Sequence, residues 1–421
     1  MGEPLGALLP QVRTDVPGPA SRGWVDRLAQ RECPAITARR ARRAAALGVA
    51  DTDPVVWAEA RGANVRDVDG NVFVDLTAGF GVAALGHGHP ALVAALTEQA
   101  GLLVHAMGDA FPDPRRVELL EALAAISGLD RGILGSSGAD AVEAALKTAR
   151  LATGRPAVLS FDGGYHGLSY GALAVLGHRP ADFAGPFADQ LGPHGRRAPF
   201  GGPLPDLSGV GAVLVEPILG RGGVVLPPTG WLAELVLEAH KAGAVVIFDE
   251  IYTGFGRTGA WLRHPAEGAS PDLLCVGKGL AGGFPVSACL GTAAVMDAWG
   301  ASKGEALHTQ TFLGNPMGCA MALASLRALD GVIPTVEPKA QRLRARLADR
   351  GFSSRGAGLL IGVPLPDAFA VCQALLRRGF LVLPSGPRAE VLCLTPPLTI
   401  EDAQLDAFVD ALADVAPAPR P

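Results

Sequence analysis

The sequence lacks several features that would assign it to a particular class of protein. In its 421 residues, no apolar run approaches the roughly 20 residues that a membrane-spanning helix needs. The net charge is −5, so the chain offers no basic surface to nucleic acid or to an anionic membrane. The six cysteines are scattered without metal-ligand spacing, and the first residues have neither the basic nor the apolar region of a secretory signal. We therefore expect a cytoplasmic protein with reduced thiols that contacts neither nucleic acid nor membrane.

Two strand-like runs end beside ionisable side chains. The apolar run 245–248 leads into Asp249 and Glu250, and the run 273–276 is followed by Lys278, which stands between two glycines. An apolar run without polar residues is typical of a strand buried on both faces. Folds of the α/β class place their chemistry at the carboxyl ends of such strands. A carboxylate and a lone lysine there suit pyridoxal phosphate (PLP), which needs an anion at its ring nitrogen and an amine for a Schiff base.

A third segment, 136–140, is suited to a phosphate group. Ser137 and Asp140 form a capping-box pattern at the start of an amphipathic helix. On its own this pattern indicates a well-capped helix. The second interpretation is that the free backbone N–H groups of Gly138 and Ala139 bind phosphate, because small residues let an anion approach the backbone.

Two glycine-rich segments follow strand-like runs. Tyr165 lies in the first, after the run 157–161, and an aromatic ring there can lie over a planar cofactor through offset stacking. The second, 254–259, fits the dinucleotide fingerprint G-x-G-x-x-G. That fingerprint needs a helix at the glycines, and Pro265 argues against one. The preceding carboxylates would also repel a diphosphate, so we do not expect a nicotinamide or flavin cofactor.

Other patterns concern the chain before the middle strands. Alternating residues on either side of a Gly-containing turn predict a hairpin over 65–76. The stretch 179–205 is rich in Pro and Gly without periodicity, which predicts a long surface loop. His87 and His89 have no third ligand at helpful spacing, so we expect no metal site there.

The C-terminal quarter differs from the preceding chain in its pattern of predicted helices and strands. A helix is expected from Met317 to about Leu329. Beyond it, helical and strand-like runs alternate, which is typical of a smaller α+β domain; the runs are 339–350, 358–363, 367–378, 380–383 and 391–394.

Together these segments resemble the class III pyridoxal-phosphate aminotransferases, of the ornithine, 4-aminobutyrate and acetylornithine aminotransferase type. The resemblance extends from about Val65 to Leu398 and is strongest at 136–143, 249–259, 277–283 and 311–316. It implies a PLP-dependent transferase of fold type I, an α/β fold. Its large domain has a mostly parallel sheet flanked by helices, and its smaller α+β domain is built from both chain ends. The predicted limits are 1–65 for the N-terminal part of the small domain, 66–325 for the large PLP-binding domain and 326–421 for the C-terminal part of the small domain.

The resemblance also implies a role for each site residue. Lys278 would form the Schiff base with PLP and then act as acid and base, while Asp249 would pair with the pyridinium N–H. The other cofactor contacts implied are Ser137, Gly138 and Ala139 at the phosphate, Tyr165 and Ile251 on opposite ring faces, Tyr252 near the 3′-oxygen, and Thr311 at the phosphate of the neighbouring subunit. The active unit would then be a homodimer or a larger homo-oligomer with shared active sites.

The reaction implied moves an amino group from an amino acid, ω-amino acid or amine donor to a 2-oxo acid such as 2-oxoglutarate or pyruvate, through pyridoxamine phosphate. The same scaffold supports an aminomutase, a racemase and a decarboxylating transaminase, and all of them keep Lys278 and Asp249. These alternatives stay open. A non-catalytic relative would lose the lysine or the aspartate, and both are present.

Two positions depart from the family pattern, and both concern the substrate. Cys393 stands where members acting on ornithine or 4-aminobutyrate carry a carboxylate-binding arginine, and Arg221 stands where they carry that arginine's glutamate partner. A thiol cannot form a bidentate ion pair. Our hypothesis is that Arg221 anchors the carboxylate of the keto acid, with Arg388 as a weaker candidate; the alternative is that Arg221 is a solvated loop arginine.

Tyr252, a predicted cofactor contact, is a third departure from the family pattern, and Phe80 and Glu216 are assigned to the substrate pocket together with Arg221. Tyr252 replaces a glutamine that the family often has near the 3′-oxygen of the cofactor. Phe80, in the glycine-rich N-terminal segment, is expected to narrow the pocket. Glu216 precedes the glycine cluster that contains Arg221, and it is expected to bind in the same substrate pocket.

Overall fold

The computed structural model describes residues 5–34, 45, 54–300 and 305–416; of the predicted segment 1–65, residues 1–4, 35–44 and 46–53 lie outside the described residues. The strands of the described chain are β1 (Trp57–Arg61), β2 (Asn64–Asp67), β3 (Val72–Asp75), β4 (Arg131–Gly135), β5 (Ala157–Phe161), β6 (Gly195–Ala198), β7 (Val210–Val215), β8 (Val245–Asp249), β9 (Leu273–Val276), β10 (Ser287–Gly291), β11 (Arg355–Ala357), β12 (Leu360–Pro364), β13 (Phe380–Leu381), β14 (Leu383–Ser385) and β15 (Val391–Leu394). The α-helices are α1 (Pro19–Ala29), α2 (Ala78–Gly81), α3 (Pro90–Leu102), α4 (Pro114–Ser127), α5 (Gly138–Thr153), α6 (Tyr170–Ala174), α7 (Pro180–Phe183), α8 (Trp231–Lys241), α9 (Ala293–Met296), α10 (Pro316–Asp349), α11 (Ala368–Arg377) and α12 (Asp402–Val415). Short 3-10 helices span Gly185–Phe187, His264–Glu267, Lys278–Leu280 and Asp297–Trp299.

Seven strands form the central sheet, in the spatial order β4-β10-β9-β8-β7-β5-β6. Within this sheet β10 runs antiparallel to β4 and β9, and the other neighbours are parallel. Alternate residues of β8 face two different core layers, Val246 and Phe248 on one side and Val245 and Ile247 on the other. Burial on both faces explains why this strand has no polar residue before Asp249. The predicted α/β fold with a mostly parallel sheet is confirmed.

A second sheet joins the two ends of the chain. β2 and β3 form the predicted hairpin, with Val65 opposite Phe73. β1 extends the hairpin on one side, and β13 pairs in parallel with β3 on the other. The third sheet, in the order β11-β12-β15-β14, is antiparallel. These strands match the expected smaller α+β part built from both ends of the chain.

The domain limits themselves stay predictions. The proposed boundary between residues 65 and 66 falls inside β2, and the boundary between residues 325 and 326 falls inside α10. Neither position therefore coincides with a connection between two elements.

Helix α10 is longer than the sequence indicated. We expected it to end at about Leu329, but it continues through Pro334 and Pro338 as one helix of 34 residues. A proline inside a helix costs about 3 kcal/mol or more. The helix continues because its buried side chains keep helical spacing on both sides of the prolines: Leu329, Ile333, Val336, Ala340, Leu343 and Leu347. By length and composition it is apolar enough to cross a membrane, but 61% of its most apolar window is buried within the protein, as in a core helix.

The prediction of a single surface loop over 179–205 was wrong. The segment contains α7, a 3-10 turn and β6, which pairs in parallel with β5 at the edge of the central sheet. Three of the four β6 residues are exposed, including Arg196 and Arg197. An exposed edge strand carries no apolar pattern, so composition alone indicated a loop.

Candidate active site

The carboxyl ends of β8 and β9 open onto a cavity of about 330 Å³. Asp249 ends β8 and Lys278 follows β9 closely, so the two side chains reach the same edge of the sheet. The predicted residues that line the cavity are Ser137, Gly138, Ala139, Tyr165, Glu216, Arg221, Asp249, Ile251, Tyr252 and Lys278. Lining residues that the sequence analysis missed are Val82, His166, Gly167, Gly283, Phe284, Pro285 and Val286.

Asp249 is buried, and both of its carboxylate oxygens have partners. Oδ2 lies 2.8 Å from Nδ1 of His166, and Oδ1 accepts a hydrogen bond from the backbone N–H of Ile251 at 3.1 Å. Burial lowers the pKa of His166, but the hydrogen bond and charge of Asp249 outweigh burial and raise it overall. The Asp249 carboxylate thus favours the protonated form of His166, and its two hydrogen bonds fix its position in the cavity wall.

Glu250, the next residue, belongs to a different hydrogen-bond network. Its Oε2 accepts from the backbone N–H of Arg263 at 2.6 Å and from the hydroxyl of Thr253 at 2.8 Å. Its Oε1 accepts from the backbone N–H of His264 at 2.8 Å. The two carboxylates at the end of β8 therefore differ in role, since Glu250 fixes the chain that follows the strand. That chain, including 254–259, forms turns, and no helix begins at its glycines.

Lys278 begins a 3-10 turn with φ of 26°, in the left-handed region where a side chain is strained. Its Nζ lies 4.4 Å from the ring centroid of Tyr252. Burial lowers the pKa of Lys278, although the charges of Asp249 and Glu216 act in the opposite direction. A lowered pKa increases the share of neutral amine, which is the nucleophilic form.

The start of α5 has the geometry of an anion cradle. Ser137 is the N-cap, and the Asp140 side chain accepts from the backbone N–H groups of Ser136 and Ser137 at 3.0 and 2.9 Å. Burial raises the pKa of Asp140, but these hydrogen bonds outweigh it and lower the pKa overall. Among the described hydrogen bonds, none uses the backbone N–H of Gly138 or Ala139. Two unpaired N–H groups at a helix N-terminus suit a phosphate.

Space beside this cradle is limited by Ile251. A Cβ added to Gly138 would lie 2.9 Å from Cδ1 of Ile251, so a larger residue would displace that side chain. A Cβ added to Gly167 would lie 2.9 Å from the Cβ of Ala139. The glycines therefore let two loops approach the cradle closely.

Glu216 connects the loops that carry Tyr165 and Arg221. Its Oε1 accepts from the backbone N–H of Tyr165 at 2.8 Å, and its Oε2 accepts from the backbone N–H of Gly220 at 3.1 Å. Burial raises the pKa of Glu216 to about 7, with the nearby Asp249 adding to the effect. This carboxyl group is thus an organiser of the cavity wall.

Arg221 lies in the cavity wall, with its guanidinium carbon 4.3 Å from the ring centroid of Tyr165. Its loop is held from the C-terminal part of the chain. The backbone oxygen of Arg221 accepts from the N–H of Gly386 at 3.0 Å and from the hydroxyl of Ser385 at 3.1 Å. Arg355 donates to the backbone oxygens of Gly223 and Val224. These contacts fix the backbone of the loop at Arg221, a residue that is itself exposed.

Tyr252 lines the same cavity, and its ring packs against Gly220, the residue before Arg221. Its hydroxyl lies 3.4 Å from Oγ1 of Thr395 and 3.8 Å from Sγ of Cys393. Burial raises the pKa of Tyr252 and raises the pKa of Cys393 to about 11, so both groups are neutral at physiological pH. The ring is held between two glycines, because a Cβ on Gly220 or Gly81 would lie 2.2 or 2.8 Å from ring carbons.

Three predicted residues are not among those that line the cavity of this chain. Phe80 is 57% exposed, with φ of 67°. Thr311 is exposed on the loop before α10, and Arg388 is exposed beyond β14, where its backbone N–H donates to Glu390. Their roles in binding stay predictions.

Comparisons with known proteins agree with this geometry. The sequence model of the family described as aminotransferase class-III matches residues 47–194 and 207–416. The chain belongs to the class III aminotransferases.

Relatives and solved structures are similar along most of the chain. The acetylornithine aminotransferase of Mycobacterium tuberculosis (strain ATCC 25618 / H37Rv) is 39% identical over 391 residues, covering 86% of this chain and 91% of that protein. The ornithine aminotransferase of Toxoplasma gondii ME49 is 28% identical, with a TM-score of 0.82 over 96% of this chain and 95% of that one. An amine transaminase from an uncultivated Pseudomonas species, in a PLP-bound form, is 28% identical, with a TM-score of 0.77 over 87% and 95% of the two chains.

Class III aminotransferases use PLP, and the residues of this one fit the cofactor. The N-terminus of α5 offers unpaired N–H groups to a phosphate, and Asp249 offers a buried anion to a ring nitrogen. Lys278 brings an amine with a lowered pKa to the same cavity. PLP supplies an electron sink for the electron pair that remains when a substrate bond is broken.

Proposed function

We propose that this class III aminotransferase uses Lys278 to hold PLP and to move the proton, and uses Arg221 to bind the carboxylate of the 2-oxo acid. The observation that carries the proposal is one cavity that contains an amine of lowered pKa, a buried carboxylate and a helix N-terminus with unpaired N–H groups. Each of these groups matches one part of PLP, and together they leave the Arg221 side of the cavity for the substrate.

Lys278 and Asp249 have complementary tasks in this proposal. Lys278 accepts the proton from the donor's carbon at its neutral Nζ and returns a proton later, which is general acid–base chemistry. Asp249, held by His166, keeps the ring nitrogen protonated, and each pK unit of that bias corresponds to about 1.36 kcal/mol. Ser137, Gly138 and Ala139 bind the phosphate.

Arg221 is proposed as the carboxylate anchor because of its chemistry and its fixed position. Among the residues that line the cavity, Arg221 and Lys278 are the two with long cationic side chains, and Lys278 is engaged with the cofactor. A planar guanidinium binds a carboxylate through two parallel hydrogen bonds. Burial raises the pKa of Cys393 to about 11, so this thiol adds no charge beside Tyr252. An amino donor that does not need a second cationic residue for an α-carboxylate suits a cavity with Arg221 alone; amines, diamines and ω-amino acids are such donors.

A second copy of the chain is proposed as the partner. Around the loop that carries Thr311, exposed apolar side chains form a surface whose members are Leu102, Leu103, Val104, Met107, Phe111, Leu307 and Phe312. The segment 102–111 contacts the loop 307–312, since the ring centroids of His105 and Phe312 lie 5.6 Å apart. Exposed apolar surfaces of this kind mark interfaces. Phe312→Glu should shift the protein toward monomer in analytical ultracentrifugation, and an unchanged assembly would contradict this interface.

The compartment proposed is the cytoplasm. None of the six cysteines, all of which lie in the described parts of the chain, forms a disulfide, and five of them are buried. Free thiols persist where the surroundings are reducing.

The test of the central proposal is the cofactor absorbance of the purified protein. The wild type should show a visible band, and Lys278→Ala should lose it while keeping its folded circular-dichroism spectrum. Lys339→Ala is the matched control, because that lysine contacts backbone oxygens of Leu398 and Ile400 far from the cavity. A wild type without the band would refute the proposal.

The test of the substrate assignment is kinetic. Arg221→Leu should raise the KM for 2-oxoglutarate or pyruvate by roughly 10²-fold, since charge-assisted hydrogen bonds are worth about 1.5–3 kcal/mol, and should leave the cofactor band intact. The donor panel should contain acetylornithine, ornithine and simple amines, because relatives carry those names. Formation of a new amino acid with consumption of keto acid identifies transamination, whereas a racemase would consume none. An unchanged KM would end the assignment of Arg221.

A further inference from the structure

The ring of Tyr252 is held by glycines on two sides and by its hydroxyl. A Cβ on Gly220 would lie 2.2 Å from Cδ1 of the ring, and a Cβ on Gly81 would lie 2.8 Å from Cε2. The hydroxyl lies 3.4 Å from Oγ1 of Thr395. Because Thr395 donates its one hydroxyl proton to the backbone oxygen of Thr77, Tyr252 is the donor in this contact. The protein itself therefore determines the orientation of the ring.

The ring turns one face toward the amine of Lys278. Nζ of Lys278 lies over the ring of Tyr252, 4.4 Å from its centroid. A cation within roughly 6 Å of the centroid of an aromatic ring is attracted by the negative potential of the ring face. A Cβ on Gly81 would lie 3.8 Å from Cδ of Lys278, so the same glycine borders both the ring and the lysine stem.

No hydrogen bond or ion pair of Nζ is present among the described residues. Burial lowers the pKa of Lys278, and the remaining influences on it are charges rather than hydrogen bonds. Asp249, Glu216 and Cys393 favour the protonated amine, and Arg221 disfavours it. The ring face is thus the contact that the described part of the chain provides to Nζ.

We propose that Tyr252 is a positioning residue whose ring face holds Nζ of Lys278 and stabilises its protonated form while the amine is not joined to the cofactor. The inference rests on the proposed function, in which Nζ accepts a proton from the donor's carbon and later returns one. Between these events Nζ is a cation. A ring face attracts this cation without being able to take its proton, as a basic side chain could.

The test measures the titration of Lys278 in the full-length PLP-free protein. Acetic anhydride acylates the neutral amine, and mass spectrometry of the peptide that contains Lys278 gives the rate at each pH. Tyr252→Leu removes the ring and should move the midpoint of this titration to lower pH by about 0.5–1.5 units, as expected for the loss of a cation–π contact. An unchanged midpoint would overturn the inference.

Two further replacements of Tyr252 separate the ring from its hydroxyl. Tyr252→Phe keeps the ring face and should keep the wild-type midpoint; a shift equal to that of Tyr252→Leu would assign the effect to the hydroxyl and overturn the inference. A trifluorinated phenylalanine in place of Tyr252 keeps the shape of the ring and withdraws electron density from its face. Its midpoint should fall below that of Tyr252→Phe, and equal midpoints would also contradict the cation–π contact.

Tyr170→Leu is the matched control. Tyr170 is exposed, its hydroxyl contacts Gln190, and it is not among the residues that line the cavity. Its replacement should leave the midpoint of Lys278 unchanged, and a shift equal to that of Tyr252→Leu would show that the effect does not come from the ring in the cavity.

The holoenzyme provides a second measurement, the pH dependence of kcat. Its acidic limb reports the general base, which must be neutral to accept a proton. Tyr252→Leu should move this limb to lower pH by the same amount as the acylation midpoint, and Tyr252→Phe should restore it. A rate that falls equally at every pH would indicate a merely structural role and overturn the inference.

Failure of the inference is distinct from failure of the proposed function. A wild type without the visible cofactor band refutes the function. Acylation is measured without the cofactor, so equal midpoints in the wild type and Tyr252→Leu refute the role of Tyr252 even when the band is present.

Discussion

The cofactor side and the substrate side of the cavity are built in different ways. On the cofactor side, Asp249 and Lys278 lie at the ends of neighbouring strands. The cradle is held by hydrogen bonds within 136–140 and by contacts with Ser287 and Gln310, none of which lies in the C-terminal strands. On the substrate side, the loop of Arg221 is held by Ser385, and Tyr252 is held beside Cys393, across more than 140 positions of sequence.

This difference separates binding of the cofactor from choice of the substrate. Elements of regular structure fix the cofactor groups, so their geometry does not depend on the C-terminal strands. The substrate groups depend on contacts between distant segments, which can change without disturbing β8, β9 or α5. Variants on the two sides should therefore fail in different measurements.

The largest effect is expected at the end of β8. Asp249→Asn removes the anion and should lower kcat/KM by about 10²–10³-fold, the loss typical of one electrostatic stabiliser in an active site. Glu250→Gln is the matched change one residue on. It should lower the melting temperature and leave kcat/KM within a few-fold of wild type, because Glu250 accepts hydrogen bonds from Arg263 and His264 behind the site. Equal losses in both variants would show that position on the strand, not the anion, matters.

A pH effect is expected at Glu216, which touches both sides. Its pKa rises from 4.5 in the unfolded chain to about 7 on folding, so the folded protein binds the proton more tightly. Stability should therefore fall as pH rises from about 4.5 to 7, by at most about 3 kcal/mol. Glu216→Gln should abolish this slope in urea unfolding of the PLP-free protein, at a cost that is the same at every pH. His166, Asp249, Lys278 and Arg221 face this group. Parallel slopes in both proteins would show that the titration does not belong to Glu216 and would contradict the prediction.

A smaller effect is expected when the cradle is crowded. Gly138→Ala forces Ile251 aside, and overpacking of this kind costs about 1–3 kcal/mol. The dissociation constant for PLP should rise roughly tenfold, with KM values for substrates little changed. Because the two residues share one clash, Gly138→Ala with Ile251→Ala should bind PLP no worse than Ile251→Ala alone. A further loss in the double variant would mean that the added methyl group blocks the phosphate directly.

The smallest effect is expected on the substrate side, at Ser385. Ser385→Ala removes hydrogen bonds to the backbone oxygens of Gly220 and Arg221. The KM for the 2-oxo acid should rise about fivefold, as for the loss of about 1 kcal/mol, while PLP affinity stays constant. Ser208→Ala, which loses only an exposed contact with Asp206, should change neither. A change in PLP affinity for Ser385→Ala would break the separation between the two sides.

Most of the cofactor side could be predicted from the sequence because its signals are local. The strand that ends at Asp249, the capping box of Ser137 and Asp140 and the lone Lys278 are each complete within a few residues. The predicted mostly parallel sheet was confirmed for the same reason, since its inner strands β7, β8 and β9 are almost continuous apolar runs.

Long-range contacts could not be predicted in the same way. His166 follows Tyr165 and carries no pattern of its own until Asp249, 83 residues later, is placed beside it. Gln310 likewise has no local sequence pattern, and its contact with Ser136 is visible only in the structure. The true end of α10 was missed because the burial of one helix face outweighs the two prolines inside the helix. Strand β6 was missed because an exposed strand at the sheet edge has no apolar pattern.

The position of Tyr252 between two glycines constrains the order in which this chain can evolve a new specificity. A side chain at Gly220 would collide with the Tyr252 ring, because its Cβ would lie 2.2 Å from Cδ1 of Tyr252. Gly220 therefore cannot be replaced without a clash while Tyr252 is present. Once Tyr252 has become smaller, the same substitution meets no ring. A substitution at Gly81 stays unfavourable even with a smaller residue at position 252, since the φ of 81° at Gly81 disfavours any side chain. The three positions are therefore epistatic, and mutational paths toward a reshaped substrate side begin at Tyr252.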